Sequence, residues 1–259
     1  MPAPAGKGTS LVALRWRHFL VAQPSAKYQP VAHASASAEA LKSLAVSKGA
    51  TAAPVFENPS RCDAVDVIKE AVGQCVAGDQ LFLSFIGHGV TTTPTKQPFG
   101  APQEFWVFGD GGLCDLDLLG LLSGLPEGSE CVVLSDACRG GGMFGNWQHV
   151  LSADHPLIAS SALDVDDVVL SNDSFPLEGI KIAPLVATLL LVAPVTAHKD
   201  TDMGFTQAFV ETAGEETYRD HFALLRQNEK WEGLRALVLP NSAEDRVLAS
   251  PPLQGFRAN

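Results

Sequence analysis

Two side chains in this sequence are suited to covalent chemistry, and each follows an apolar run. Cys138 closes "CVVLSDAC" and leads into "RGGG"; His88 closes "QLFLSFIGH" and stands between Gly87 and Gly89. A free thiol titrates near pH 8.5, and its thiolate is the nucleophile. An imidazole beside it takes the proton or holds the thiolate as an ion pair. The flanking glycines let the chain turn sharply at His88, and Gly140, Gly141 and Gly142 leave room around the thiol. The amide N–H groups of Gly89 and Cys138 are candidate donors to a developing oxyanion, where losing one donor costs about 3 kcal/mol. Taken singly, a strand-end cysteine reads as an inert thiol and a histidine between glycines as a turn residue. The pair at neighbouring strand ends points to nucleophilic catalysis.

The elements that must position this pair alternate in type. "RHFLVAQ" (17–23) reads as a first strand, and "SAEALKSLAVSKGA" as a helix with Leu41, Leu44 and Val46 on one face. "TAAPVFE" is a short strand. "PSRCDAVDVIKEAV" is a helix that starts at Ser60. "QLFLSFIGHG" is a buried strand, "FWVFGDGG" a small strand and turn, and "DLDLLGLLSGL" a helix. "CVVLSDAC" and "PLIASSA" (156–162) are further strands, "GFTQAFVETAG" is a helix and "LRALVLP" a last strand. This alternation predicts an α/β fold: a mostly parallel central sheet of about six strands with helices on both faces. Unbroken apolar strands fit a sheet covered on both sides. Sites in such sheets form beyond the carboxyl ends of the strands, where His88 and Cys138 fall.

The chain has 259 residues and a net charge of -11. The acidic balance argues against a nucleic-acid partner, which needs basic surface. Five cysteines with no CxxC pair argue against a zinc ribbon and a disulfide framework. No signal peptide is read at the N-terminus, so reduced thiols and a cytoplasmic address are expected. "IKIAPLVATLLLVAPVTA" (180–197) is apolar but short of the roughly 20 residues that span a bilayer, and Pro184 and Pro194 interrupt it. It reads as a buried segment or a docking surface, not a membrane span.

The two motifs carry a family resemblance. Caspases have Gln-Ala-Cys-[Arg/Gln/Gly]-Gly with a histidine about 50 residues upstream; this chain has "DACRG", with His88 fifty residues before Cys138. It resembles the caspase–metacaspase–paracaspase superfamily of cysteine peptidases, with bacterial metacaspase-like proteins the nearest in character. "FLSFIGHG" is similar to that family's strand ending in Ser-Gly-His-Gly, with Ile86 in the serine position. "HPLIASSALD", "DMGFTQAFVE" and the stretch from "FLVAQ" to "SKGA" resemble further family segments, covering roughly residues 17–213. The resemblance implies a caspase-like sandwich: residues 1–16 an N-terminal extension, 17–259 one peptidase domain, and 163–203 an insert. It implies a cysteine endopeptidase with Cys138 as nucleophile, His88 as base and general acid, and Gly89 as an oxyanion donor. A regulated role in a bacterial stress, defence or cell-death pathway follows by analogy, with a protein or peptide as substrate and room for an activating protein partner.

Relatives with aspartate at the position of Asp136 cut after arginine or lysine, so Asp136 is expected in the P1 (S1) pocket. A carboxylate there can accept a guanidinium and repels an acidic side chain. The plainer reading is that Asp136 caps the following turn. The family's second acid, at the start of the first helix, is replaced by Ser37, with Glu39 as a substitute. The calcium site of many metacaspases is incomplete: Asp115 and Asp117 are split by Leu116, and "RGGGMFGNW" has no acid. The acids of "LDVDDVVLSND" (Asp164, Asp166, Asp167) do not have EF-hand spacing. No metal and no cofactor are expected. Within the insert, Lys181 and Lys199 are the basic residues, and Lys199 in polar "TAHKDTDMG" is the candidate processing site. The alternatives are an inactive caspase-like scaffold and an unrelated binding module; "GHG" lacks the spacing of a phosphate loop.

Overall fold

The protein is seen in a computed structural model that describes residues 9–15, 34–51, 55–57, 59–91, 104–108, 111–137, 185–194, 204–214, 217–227 and 234–253. Cys138, Lys181, Lys199, the 156–162 segment and the acids Asp164, Asp166 and Asp167 lie outside them.

The first strand, β1, is Thr9–Arg15. The 17–23 stretch read as the first strand lies outside the described residues, and β1 falls inside the stretch read as an N-terminal extension. Helix α1 is Ala34–Ser47. The next predicted strand is split into β2 (Ala50–Thr51) and β3 (Val55–Glu57), and both pair with β1. Helix α2 (Arg61–Gln74) starts where the sequence places it: the Asp63 N–H donates to Ser60 Oγ at 3.0 Å and the Ser60 N–H donates to Asp63 Oδ2 at 3.2 Å. This capping box satisfies two backbone donors that the helix end would otherwise leave open. Strand β4 is Gln80–Gly87. A small second sheet follows, built from β5 (Gly89–Thr91), β6 (Glu104–Phe108) and β7 (Gly111–Cys114) in antiparallel order. Gly112 is needed in this hairpin, because a Cβ there would come within 2.9 Å of the Phe105 ring.

Helix α3 (Asp115–Leu122) leads to β8 (Glu130–Ala137). The strand beyond β8 is β9, Thr188–Pro194. It comes from the apolar 180–197 run, whose described part thus includes a buried strand, in keeping with one of the two readings of that run. It lies within the stretch read as an insert, and it pairs in parallel with β8. Pro194, one of the two prolines in the run, is the last residue of the strand, so it ends the strand instead of breaking it. Helices α4 (Phe205–Thr212) and α5 (Tyr218–Arg226), strand β10 (Leu234–Leu239) and the short α6 (Glu244–Leu248) complete the described chain. Among the described residues no helix is long and apolar enough to cross a membrane.

The main sheet runs β10-β9-β8-β4-β1-β2, with β3 also on β1. Its seven strands fill six positions, and all pairs are parallel except β10 with β9. Strand alternation splits the core into two layers. Leu81, Leu83 and Phe85 of β4, with Cys131 and Val133 of β8 and Leu189 and Leu191 of β9, pack under α2 and α3. Phe82, Val132, Leu134, Leu190 and Val192 face the other way, against α1, α4, α5 and α6. Both faces are covered, which is why these strands read as continuous apolar runs. At the start of the central strands, Arg246 of α6 reaches Glu130 at 3.5 Å and Thr188 at 2.9 Å, tying the C-terminal segment to β8 and β9.

Candidate active site

Strands β4 and β8 are the central neighbours of the sheet, and their register is constant. Gln80 lies opposite Glu130, and each following pair keeps the same offset through Ile86 opposite Asp136 and Gly87 opposite Ala137. The fifty-residue spacing between the histidine and cysteine motifs is therefore the register of this parallel pair. His88 is the residue immediately after the last registered position of β4; Cys138 is the residue immediately after that of β8, and lies outside the described residues.

The small sheet grips both strand ends. The Val107 N–H donates to the His88 carbonyl at 3.0 Å. Its neighbour Trp106 donates from Nε1 to Ser135 Oγ at 2.9 Å, and its ring stacks on Phe85 with centroids 4.7 Å apart. Gly89, the expected oxyanion donor, opens β5 opposite Trp106. His88 is half-buried. Trp106 and Ser135 are wholly buried, so the bond between them is shielded from water. Neither stands out in the sequence as a site residue. The available signal was a tryptophan inside an apolar hairpin strand, whose N–H must find a partner once buried.

Asp136 is 2% exposed and faces the α4 side of the sheet. Its Oδ2 accepts the Thr206 N–H at 2.8 Å and the Thr206 Oγ1–H at 2.7 Å. Thr206 is the second residue of α4, so the carboxylate also sits at the N-terminal end of that helix. Burial pushes the carboxyl up to about 6, against the pull of the two Thr206 hydrogen bonds. Asp136 thus caps a helix seventy residues away; the turn that follows it lies outside the described residues.

Other expected ligands fall elsewhere. Ser37 is buried on the sheet-facing side of α1, whereas Glu39 is exposed and pairs with Lys42 at 3.9 Å. Helical geometry turns Glu39 away from the face that carries Ser37. Asp115 and Asp117 are buried in the first turn of α3, where Asp115 Oδ1 accepts the Leu116 N–H at 2.8 Å. Among the described residues no group of three or more His, Cys, Asp or Glu could hold a metal ion. Cys62, Cys75, Cys114 and Cys131 are free thiols.

No family model matches the chain, and no curated protein matches it. Solved structures do. Protein GSU0716 from Geobacter sulfurreducens superposes with a TM-score of 0.65 at 18% identity, over 97% of this chain and 100% of that one. Caspase-1 from Spodoptera frugiperda superposes with a TM-score of 0.51 at 13% identity, over 90% of this chain and 86% of that one. At these identities the likeness is one of fold, and the fold of this chain is caspase-like.

Proposed function

We propose that the chain is a cysteine endopeptidase that cleaves after arginine or lysine. Cys138 is the nucleophile. His88 takes the thiol proton, and the thiolate adds to the scissile carbonyl carbon. The N–H groups of Gly89 and Cys138 donate to the resulting oxyanion. Collapse of this intermediate breaks the C–N bond, His88 gives its proton to the leaving amine, and water then hydrolyses the thioester. Asp136 reads the basic P1 side chain.

The observation that carries this reading is the unbroken β4–β8 register, which ends one residue short of both motif residues. Adjacent parallel strands lie about 4.8 Å apart, so residues that directly follow a registered pair start from neighbouring backbone positions. The caspase-like fold supports the same assignment. A peptide library varied at P1, run with wild type, Cys138→Ala and His88→Ala, tests it. Turnover should be lost in Cys138→Ala and nearly lost in His88→Ala. Residual activity above about a tenth of wild type in Cys138→Ala, a loss of only about 1.4 kcal/mol of transition-state stabilisation, overturns the nucleophile. Preference for aspartate at P1 overturns the pocket. A thiol-directed activity probe that labels the wild type only after denaturation favours an inactive scaffold instead. Lys199 remains the candidate processing site, and intact-mass comparison of wild type with Cys138→Ala reads whether the chain cuts itself there.

A further inference from the structure

Thr206 has no role in the reading above, yet it is wholly buried and gives both of its donors to one oxygen of Asp136. The Asp terminal torsion is a broad, soft rotor. Two donors from one residue, 2.8 and 2.7 Å from the same oxygen, stop that rotation, because turning the carboxylate breaks both bonds at once. We propose that Thr206 is the residue that positions the P1-reading acid: it holds Oδ2 of Asp136 so that Oδ1 is presented to the basic side chain of the substrate. The proposal rests on the assignment of Asp136 to the P1 pocket.

The surroundings support it. The cross-strand neighbour of Asp136 is Ile86, which packs with Ala34 and Ala38 of α1 and offers no hydrogen bond. Thr206 is thus the polar anchor of this carboxylate from the helical layer. It comes from α4, an element remote in sequence whose Phe205, Ala208 and Phe209 are fixed in the core. A donor set mounted on a packed helix holds its geometry better than one on a loop. The arrangement also has a specificity consequence. With Oδ2 committed, pairing runs chiefly through one oxygen, which suits a lysine ammonium as well as an arginine guanidinium, so the pocket should separate basic from neutral P1 residues more sharply than arginine from lysine.

The test compares wild type, Thr206→Val, Thr206→Ser and Asp136→Asn as full chains on two peptides that differ only at P1, arginine against alanine. Thr206→Val keeps the backbone donor and the side-chain shape but removes the hydroxyl donor. Its kcat/KM on the arginine peptide should fall about tenfold, carried mainly by KM, as expected for one lost hydrogen bond to a charged group. The alanine peptide should change by less than about twofold, and Thr206→Ser should restore the arginine rate. If Thr206→Val does not fold by circular dichroism, Thr206→Ala removes the same hydroxyl without crowding. Equal losses on both peptides, failure of Thr206→Ser to rescue, or an unchanged ratio in Thr206→Val overturns the role of Thr206. If Asp136→Asn keeps the arginine-over-alanine ratio, the pocket assignment itself falls; if Asp136→Asn loses the ratio and Thr206→Val keeps it, only Thr206 falls. No turnover of either peptide by the wild type overturns both.

Discussion

Cys131 and Cys138 belong to the same apolar run, and their positions in it decide their chemistry. Cys131 is fully buried in the middle of β8, where burial pushes its thiol well above the ordinary range. Cys114 is raised in the same way, by burial and by the neighbouring Asp117 and Asp115. Neither can supply a thiolate near neutral pH. Brief alkylation of the native protein followed by peptide mass analysis should therefore modify Cys138 and the exposed Cys62, and spare Cys131 and Cys114 until the chain is unfolded. Labelling of Cys131 ahead of Cys138 would contradict the proposed site. The acid beside the thiol gives a second prediction. A carboxyl that titrates near 6 is neutral below that pH and then attracts no cation. The ratio of kcat/KM for arginine over alanine at P1 should fall as the pH drops from 7 to 5. Taking the ratio cancels any titration that acts on both substrates alike, and kcat/KM reports the free enzyme. A ratio that stays flat from pH 5 to 8 would remove Asp136 from the pocket.

Among elements, the small β5–β6–β7 sheet carries a function that the sequence hides. Consecutive residues of β6 hold both ends of the central seam, Trp106 through Ser135 and Val107 through the carbonyl of His88. Trp106→Phe keeps an aromatic ring against Phe85 but leaves the buried Ser135 hydroxyl without its donor, a cost of about 1–3 kcal/mol. Urea unfolding should show that loss, and kcat should fall more than KM rises. Ser135→Ala should cost less, and the double variant should be less than additive; full additivity would mean that the two residues are not coupled. How much of this could be read in advance varied with the element. Strands β4 and β8 were legible because both faces are buried and every residue in them is covered. The start of α2 was legible because Ser60 and Asp63 form their cap locally. Strand β1 was not, because "SLVAL" is no more apolar than "FLVA", and its pairing with β4 is not written in the local sequence. Strand β9 was hard to see because Pro184 and Pro194 interrupt its apolar run. Helix α5 was overlooked although Tyr218, His221, Phe222 and Leu225 form its buried stripe, since a histidine in that stripe reads as polar. For the site, the fifty-residue spacing was visible, but the partner of Asp136 lies in a helix seventy residues on, and no local pattern reports that contact.

Over the whole molecule, two buried titratable groups act on one helix in opposite senses. Helix α4 is held at its first turn by Asp136 through Thr206, and one turn later by His221 of α5. His221 Nε2 lies 3.1 Å from the Phe209 carbonyl, an acceptor, so Nε2 carries the proton; the ring packs against Phe209 at 4.4 Å. Burial holds this imidazole down at about 4, below its ordinary 6.5. Between pH 4 and 6.5 the unfolded chain therefore binds more protons at His221 than the folded one, and this contribution to stability is lost as the pH falls. Asp136 does the reverse. Its folded carboxyl is raised from 3.8 to about 6, so between those values the folded chain binds more protons, and stability from this group grows as the pH falls. Each effect is on the order of 3 kcal/mol, and the two oppose each other over the shared window. Urea midpoints measured from pH 7 to pH 4, taken as the variant minus the wild type so that other carboxylates drop out, should separate them. The difference for His221→Gln should rise as the pH falls, because the acid-sensitive group is gone. The difference for Asp136→Asn should fall over the same range, and the double variant should run parallel to the wild type. Two differences of the same sign, or two flat lines, would show that α4 is not held between opposing titrations.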